Sequence, residues 1–128
     1  MAVKALSKQV GITGVSDGNN KTEIIGTVPN GKVWRVVSYS FLAAAEDASS
    51  DSIAGIYIGD PNTSIKRNRP IAAVIHEEEG TRFIQVNGSC PDFFYLTQGD
   101  ILFAYIWYTS SSENMDGSFY VSLLEQDL

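Results

Sequence analysis

The stretch Asp100-Ile101-Leu102-Phe103-Ala104-Tyr105-Ile106-Trp107-Tyr108-Thr109 decides the fold class. Its aromatic and Ile residues suit a pleated backbone, and no polar residue interrupts it between Asp100 and Thr109. In an extended chain Ile101, Phe103, Tyr105 and Trp107 point one way, and Leu102, Ala104, Ile106 and Tyr108 the other. A strand open to water would carry polar residues on one of those sides. Two apolar sides need two covers: a core on one and, most simply, a subunit interface on the other.

Outward from that run the same pattern recurs. Segments rich in β-branched and aromatic residues lie at Thr22–Val28, Lys32–Ala43, Ile53–Gly59, Ile71–His76, Thr81–Val86, Asp92–Thr97, Asp100–Thr109 and Gly117–Gln126. Between them stand turn signals such as Pro29-Asn30-Gly31, Gly59-Asp60-Pro61-Asn62, Asn87-Gly88 and Gln98-Gly99-Asp100. The one helix-friendly stretch, Leu42–Ala48, is too short to cross between parallel strands. Eight short strands without crossover helices predict an antiparallel sandwich or small barrel. Residues 1–21 are punctuated by Gly11, Gly14 and Gly18 and are weakly patterned. They are expected to form an extended N-terminal arm leading into a single domain over 22–128.

The chain of 128 residues suits one core, and 44% apolar composition is too high for a disordered chain. No apolar run is long enough for a transmembrane helix, and Met1–Val10 lacks the apolar segment of a secretory signal, which points to synthesis in a cytoplasm. The net charge of −6 is unevenly spread: residues 1–75 hold eight Lys/Arg against six Asp/Glu, while residues 76–128 hold Arg82 against nine acids. Most of such a surface repels phosphate, which argues against nucleic acid as a partner. Cys90 is the only cysteine and has no neighbouring base in sequence, so it reads as a small structural residue.

Enzyme signatures are sparse. His76 is the only histidine, no HxH, HExxH or CxxC spacing occurs, and no cofactor or metal site is predicted. Gly14-Val15-Ser16-Asp17-Gly18 matches G-x-S-x-G, yet a nucleophile elbow needs a strand before it and a helix after it. Glu77-Glu78-Glu79 repel one another and suit a solvated turn, a basic partner or a cation. Lys66-Arg67-Asn68-Arg69 is the one concentrated basic cluster, in a long loop that ends at Pro70. Its natural target is an acidic surface, either the acidic half of another copy or a lattice of other subunits. Trp34 is expected to be buried near the start of the longest strand.

Two further segments carry a family resemblance. Thr27-Val28-Pro29-Asn30-Gly31-Lys32-Val33-Trp34-Arg35-Val36-Val37-Ser38 ends one strand at Pro-x-Gly and opens the next with Lys-Val-Trp-Arg-Val. Leu96-Thr97-Gln98-Gly99-Asp100-Ile101-Leu102 closes a tight turn on Gly-Asp before a long hydrophobic strand. With the chain size and short N-terminal segment, these resemble the jelly-roll structural proteins of tailed bacteriophages, in particular the small capsid decoration (cement) proteins. The resemblance implies a jelly-roll β-sandwich and a non-enzymatic virion protein on the capsid surface. Such a protein clamps junctions between major capsid subunits and works as a homo-oligomer, dimer or trimer. It brings no catalytic residues. The residues expected to meet partners are Lys4 and Lys8 in the arm, Lys66, Arg67 and Arg69 in the basic loop, Glu77, Glu78 and Glu79, and whichever of Trp107 and Tyr108 faces outward. The aromatic rows leave a second reading open, a carbohydrate- or receptor-binding module of a phage tail or fibre.

Overall fold

The computed structural model describes residues 3–45, 50–76, 83–90 and 94–128. Among them nine strands are present: β1 Val3–Val15, β2 Asn20–Thr27, β3 Lys32–Ala45, β4 Ser52–Ile58, β5 Arg69–His76, β6 Phe83–Ser89, β7 Tyr95–Leu96, β8 Ile101–Tyr108 and β9 Met115–Asp127. The single helical element among the described residues is a short 3-10 turn at Ile65–Arg67. No helix among the described residues is long and apolar enough to cross a membrane.

Every pairing is antiparallel, and the pairings nest. β4 pairs β5, β3 pairs β6, β2 pairs β8 and β1 pairs β9. The chain is therefore one long ribbon folded back at the β4–β5 connection, with the two-residue β7 added on β3. Rolling that ribbon brings β9 against β3 and β8 against β4, which closes two sheets of order β1-β9-β3-β6 and β2-β8-β4-β5. This is the jelly roll, two Greek keys sharing one core.

The inner faces of both sheets make that core. Phe41 and Phe119 stack with ring centroids 5.4 Å apart, and Val36, Ile56, Leu96, Leu102, Ile106, Tyr108, Val121 and Leu123 are buried with them. Trp34 is 2% exposed, as expected. Its Nε1 donates to Glu125 Oε2 at 2.7 Å, and the Lys8 ammonium lies 5.4 Å from the ring centroid. Gly26 makes room for the ring: a Cβ there would stand 2.7 Å from the Trp34 Cη2. A large aromatic side chain is thus fitted between β1, β2 and β9 with its polar edge satisfied.

The structure differs from expectation over the first 21 residues. Val3–Val15 is not an arm outside the domain but strand β1, paired in register with β9 from Val3↔Gln126 to Val15↔Met115. Ile12 and Val15 are buried in the core, and β2 begins at Asn20. The jelly roll therefore starts at Val3. The inward positions of β1 run Lys4, Leu6, Lys8, Val10, Ile12, opposite the inward residues of β9. Two lysines among them break the apolar alternation that would have marked a strand.

Removing residues 1–15 is accordingly expected to abolish the cooperative thermal melt, because it strips the β9 edge and opens the core at Ile12 and Val15. A truncated chain that keeps β-type circular dichroism and a cooperative melt would show that β1 is dispensable. Trp34→Ala should cost about 3–5 kcal/mol, a large share of the roughly 5–15 kcal/mol that stabilises a whole domain. Chemical denaturation at constant m-value measures it.

Candidate interaction interface

Strand β8 keeps the two-sided character of its sequence. Leu102, Ala104, Ile106 and Tyr108 face the core, while Phe103 and Tyr105 lie on the outer side, buried with Tyr57 of β4. Tyr57 stacks on Phe103 at 5.9 Å and meets Tyr105 edge-on at 5.8 Å. Burial pushes the Tyr57 and Tyr105 phenols above their ordinary value, so both stay neutral across the physiological range. The expectation that another subunit covers this side is corrected for Phe103 and Tyr105. The cover is the chain's own loop, residues 59–68, whose Ile65 packs against the cluster.

That loop is held by one side chain. Asn68 Oδ1 accepts from the Asp60 amide at 2.7 Å, and Asn68 Nδ2 donates to the Asp60 and Ser64 carbonyls, each at 3.2 Å. Asp60 adds a turn of its own, its Oδ1 accepting from the Asn62 amide at 2.9 Å. Gly59 bridges strand and loop with a φ of +148°, a conformation L residues rarely adopt, and a Cβ there would collide with Asn68 Oδ1. The 3-10 turn then presents Lys66 and Arg67 to solvent. Arg69 is exposed as well, its guanidinium 5.2 Å from the Phe94 ring centroid. The basic cluster is therefore a pre-ordered cationic knob over the outer face of the β2-β8-β4-β5 sheet. Neither Lys66 nor Arg67 forms a salt bridge among the described residues; the one present joins Lys32 to Asp127.

The other expected contact residues fall elsewhere. Lys4 is exposed, opposite Glu125 in register. Lys8 is half-buried over Trp34 and belongs to the fold. Trp107 is half-buried on the outer side of β8, its Nε1 donating to the Gly18 carbonyl at 3.1 Å. Tyr108 is 1% exposed and faces inward, so it is a core residue and not a contact. Strand parity decides between the two. Glu77, Glu78 and Glu79 lie outside the described residues.

Little in the structure suggests chemistry. Ser16 sits in a turn between two strands, with Asp17 and Gly18 both at positive φ, and the helix of a nucleophile elbow is missing there. No group of three or more His, Cys, Asp or Glu able to hold a metal occurs among the described residues. Burial pushes the Cys90 thiol up from its ordinary pKa, which disfavours the thiolate. A cavity of about 160 Å³ between the loop and the β2–β8 pair is lined by Asn20, Thr22, Thr63, Ser64, Phe103 and Tyr105. It falls below the roughly 300–1,000 Å³ of ordinary ligand pockets. Phe103 is wholly buried, so it offers no open ring face for a sugar.

Sequence reasoning missed one surface. On the outer side of the β1-β9-β3-β6 sheet, register places Ser7, Ser122, Ser38 and Ser89 in one row across four strands. The next row holds Gln9, Tyr120, Ser40 and Asn87, and the next Gly11, Ser118, Leu42 and Gln85. None of these twelve residues is charged, although the chain carries 24 charged residues. The signal was present in the alternate positions Ser38, Ser40, Leu42 and Ser118, Tyr120, Ser122. Only strand order could join them.

No family model and no curated protein matches the chain. Among solved structures it is similar to that of infectious bursal disease virus Gx strain, with 12% identity and a TM-score of 0.46, covering 98% of this chain and 32% of that one. The Gt strain of the same virus matches with 16% identity and a TM-score of 0.43, covering 96% and 32%. The VP2 subviral particle of that virus gives 9% identity and a TM-score of 0.42, covering 98% and 37%. The chain spans about a third of the length of these proteins. The jelly-roll assignment rests on the strand pairing and not on these matches.

Asn68→Ala should loosen the knob. It removes hydrogen bonds worth about 1 kcal/mol each at most in so exposed a loop, so stability should fall by roughly 1–2 kcal/mol. Trypsin should then cut after Lys66 and Arg67 several-fold faster than in the wild type. Unchanged cleavage would mean that Ile65 anchors the loop without Asn68.

Proposed function

We propose that this chain is a non-enzymatic structural protein of a virion, a capsid decoration protein that binds at junctions between major capsid subunits. The reading rests on the resemblance of the Thr27–Ser38 and Leu96–Leu102 segments to phage decoration proteins. The cationic knob carries it further. Lys66 and Arg67 stand on a pinned loop and Arg69 opens the strand beside it, in a chain whose net charge is −6. A pre-ordered basic surface binds an acidic neighbour with little ordering cost, and its charges steer the encounter. Arg69 is already stacked on Phe94 and Lys66 and Arg67 ride on the pinned turn, so binding costs little loop entropy. The jelly roll serves such a task as a rigid mount, although the fold alone hosts many functions.

The test is co-sedimentation of the chain with particles of its own virus, with copy number measured by quantitative mass spectrometry. Hundreds of copies per particle are expected. A handful would favour a tail or fibre part, and absence from particles would defeat the virion reading altogether. In a particle-binding isotherm, reversing Lys66, Arg67 and Arg69 to Glu should weaken binding at low salt by at least about tenfold, or about 1.4 kcal/mol. The wild-type affinity should itself fall as salt rises, since exposed charges are screened beyond about 8–10 Å near physiological ionic strength. The melt should barely move, because exposed charges contribute under about 1 kcal/mol each. Wild-type binding by the reversed variant would leave the loop a solvated connection.

A further inference from the structure

The outer face of the β1-β9-β3-β6 sheet plays no part in that proposal, and its chemistry is opposite to that of the knob. Eight large apolar side chains are exposed among the described residues, and five of them, Val3, Leu42, Phe83, Tyr95 and Tyr120, belong to this one face. Phe83 is 65% exposed and Tyr120 43%. A solvated sheet face in an acidic protein would be expected to carry Lys and Glu at such positions. We propose that this face packs on the same face of a second copy of the chain, forming a two-fold dimer.

Three observations choose a second copy as the occupant. The first is size. Strands β1, β3 and β9 have 13 or 14 residues each. At about 3.4 Å per residue and about 4.8 Å between strands, these three together with the 7 residues of β6 and the 2 of β7 cover about 800 Å². That is the area each partner contributes to a standard stable interface, about 800 Å². The second is self-complementarity. In a two-fold interface a surface meets its own chemistry, so a charged face opposes like charges. Ser, Gln, Asn and Tyr side chains both donate and accept, and the small serines let two sheets approach to the usual spacing of about 10 Å.

The third is the placement of Arg35 and Asp116, the charged residues that β3 and β9 carry on this side in the rows flanking the neutral ones. Arg35 lies beyond the serine row, opposite Leu124, and Asp116 lies beyond the Leu42 row, opposite Ala44. A two-fold axis lying in the interface, across the strands and along the Tyr120 row, exchanges the two ends. It sets the Arg35 end of one copy over the Asp116 end of the other. An axis along the strands would instead oppose like ends. The charges therefore select the axis that runs perpendicular to the strands. Tyr120 then lies on the axis row, close to its own counterpart.

This geometry gives a direct test by sedimentation velocity across a concentration series. The wild type should run as a dimer, with twice the 14.0 kDa chain mass. Tyr120→Lys puts two like charges together at the axis and should yield the single-chain mass. Leu42→Lys, one row away on the neighbouring strand, should do the same. Both positions are exposed, so each variant should keep the wild-type β-type circular dichroism and melting transition. Lys66→Glu, on the opposite sheet, should leave the dimer intact, which separates this proposal from the capsid reading. A wild type of one or three chains, or a two-chain mass unchanged in both lysine variants, would overturn it.

Discussion

Strand β8 has no polar face, and the architecture follows from satisfying that constraint. An apolar strand exposed on one side forfeits burial worth about 25 cal/mol per Å², so both sides must be covered. The β1-β9-β3-β6 sheet covers the side carrying Leu102, Ala104, Ile106 and Tyr108. The loop between β4 and β5 covers Phe103 and Tyr105 on the other. Without that loop, the outer aromatic cluster of Tyr57, Phe103 and Tyr105 would lie open to water. The long β4–β5 connection is thus part of the packing and not a slack linker.

From this covering role comes the loop's fitness for binding. Ile65 sinks into the outer cluster, and Asn68 ties the strand exit at Asp60 to the turn at Ser64. The residues between these anchors, Lys66 and Arg67, are forced outward. A segment recruited to bury apolar surface ends by displaying charge. The opposite sheet presents a different outer side. Its outer rows are built from serine, glutamine and asparagine with exposed apolar residues among them. The two sheets thus carry different outer surfaces, one charged and aromatic, the other neutral.

Much of the fold was legible because period-two alternation and turn chemistry are local. Each of the eight segments read as strands overlaps one of β2 to β9 over the described residues, although β6 runs on through Asn87-Gly88, which reads locally as a turn but pairs with Ser40 and Tyr39, and β7 is only the two residues Tyr95–Leu96. The first strand escaped because its inward positions include Lys4 and Lys8. Lys8 is accommodated there by lying over Trp34, a contact between β1 and β3 that no local pattern reveals. The choice between Trp107 and Tyr108 was also hidden. Both are large aromatics in an all-apolar run, and only register against Ile53 and Ser52 of β4 says which one faces the core.

The sequence by itself determined the class and most of the strands, because backbone extension and turn geometry depend on residues a few positions apart. It also determined where charge concentrates, since Lys66, Arg67 and Arg69 stand together in any fold. Only the tertiary structure decided what those residues do. Rolling the ribbon placed the basic cluster over an aromatic face of its own chain and brought Ser7, Ser38, Ser89 and Ser122 from four strands into one row. Those residues are separated by up to 115 positions in sequence, and strand register alone makes them neighbours.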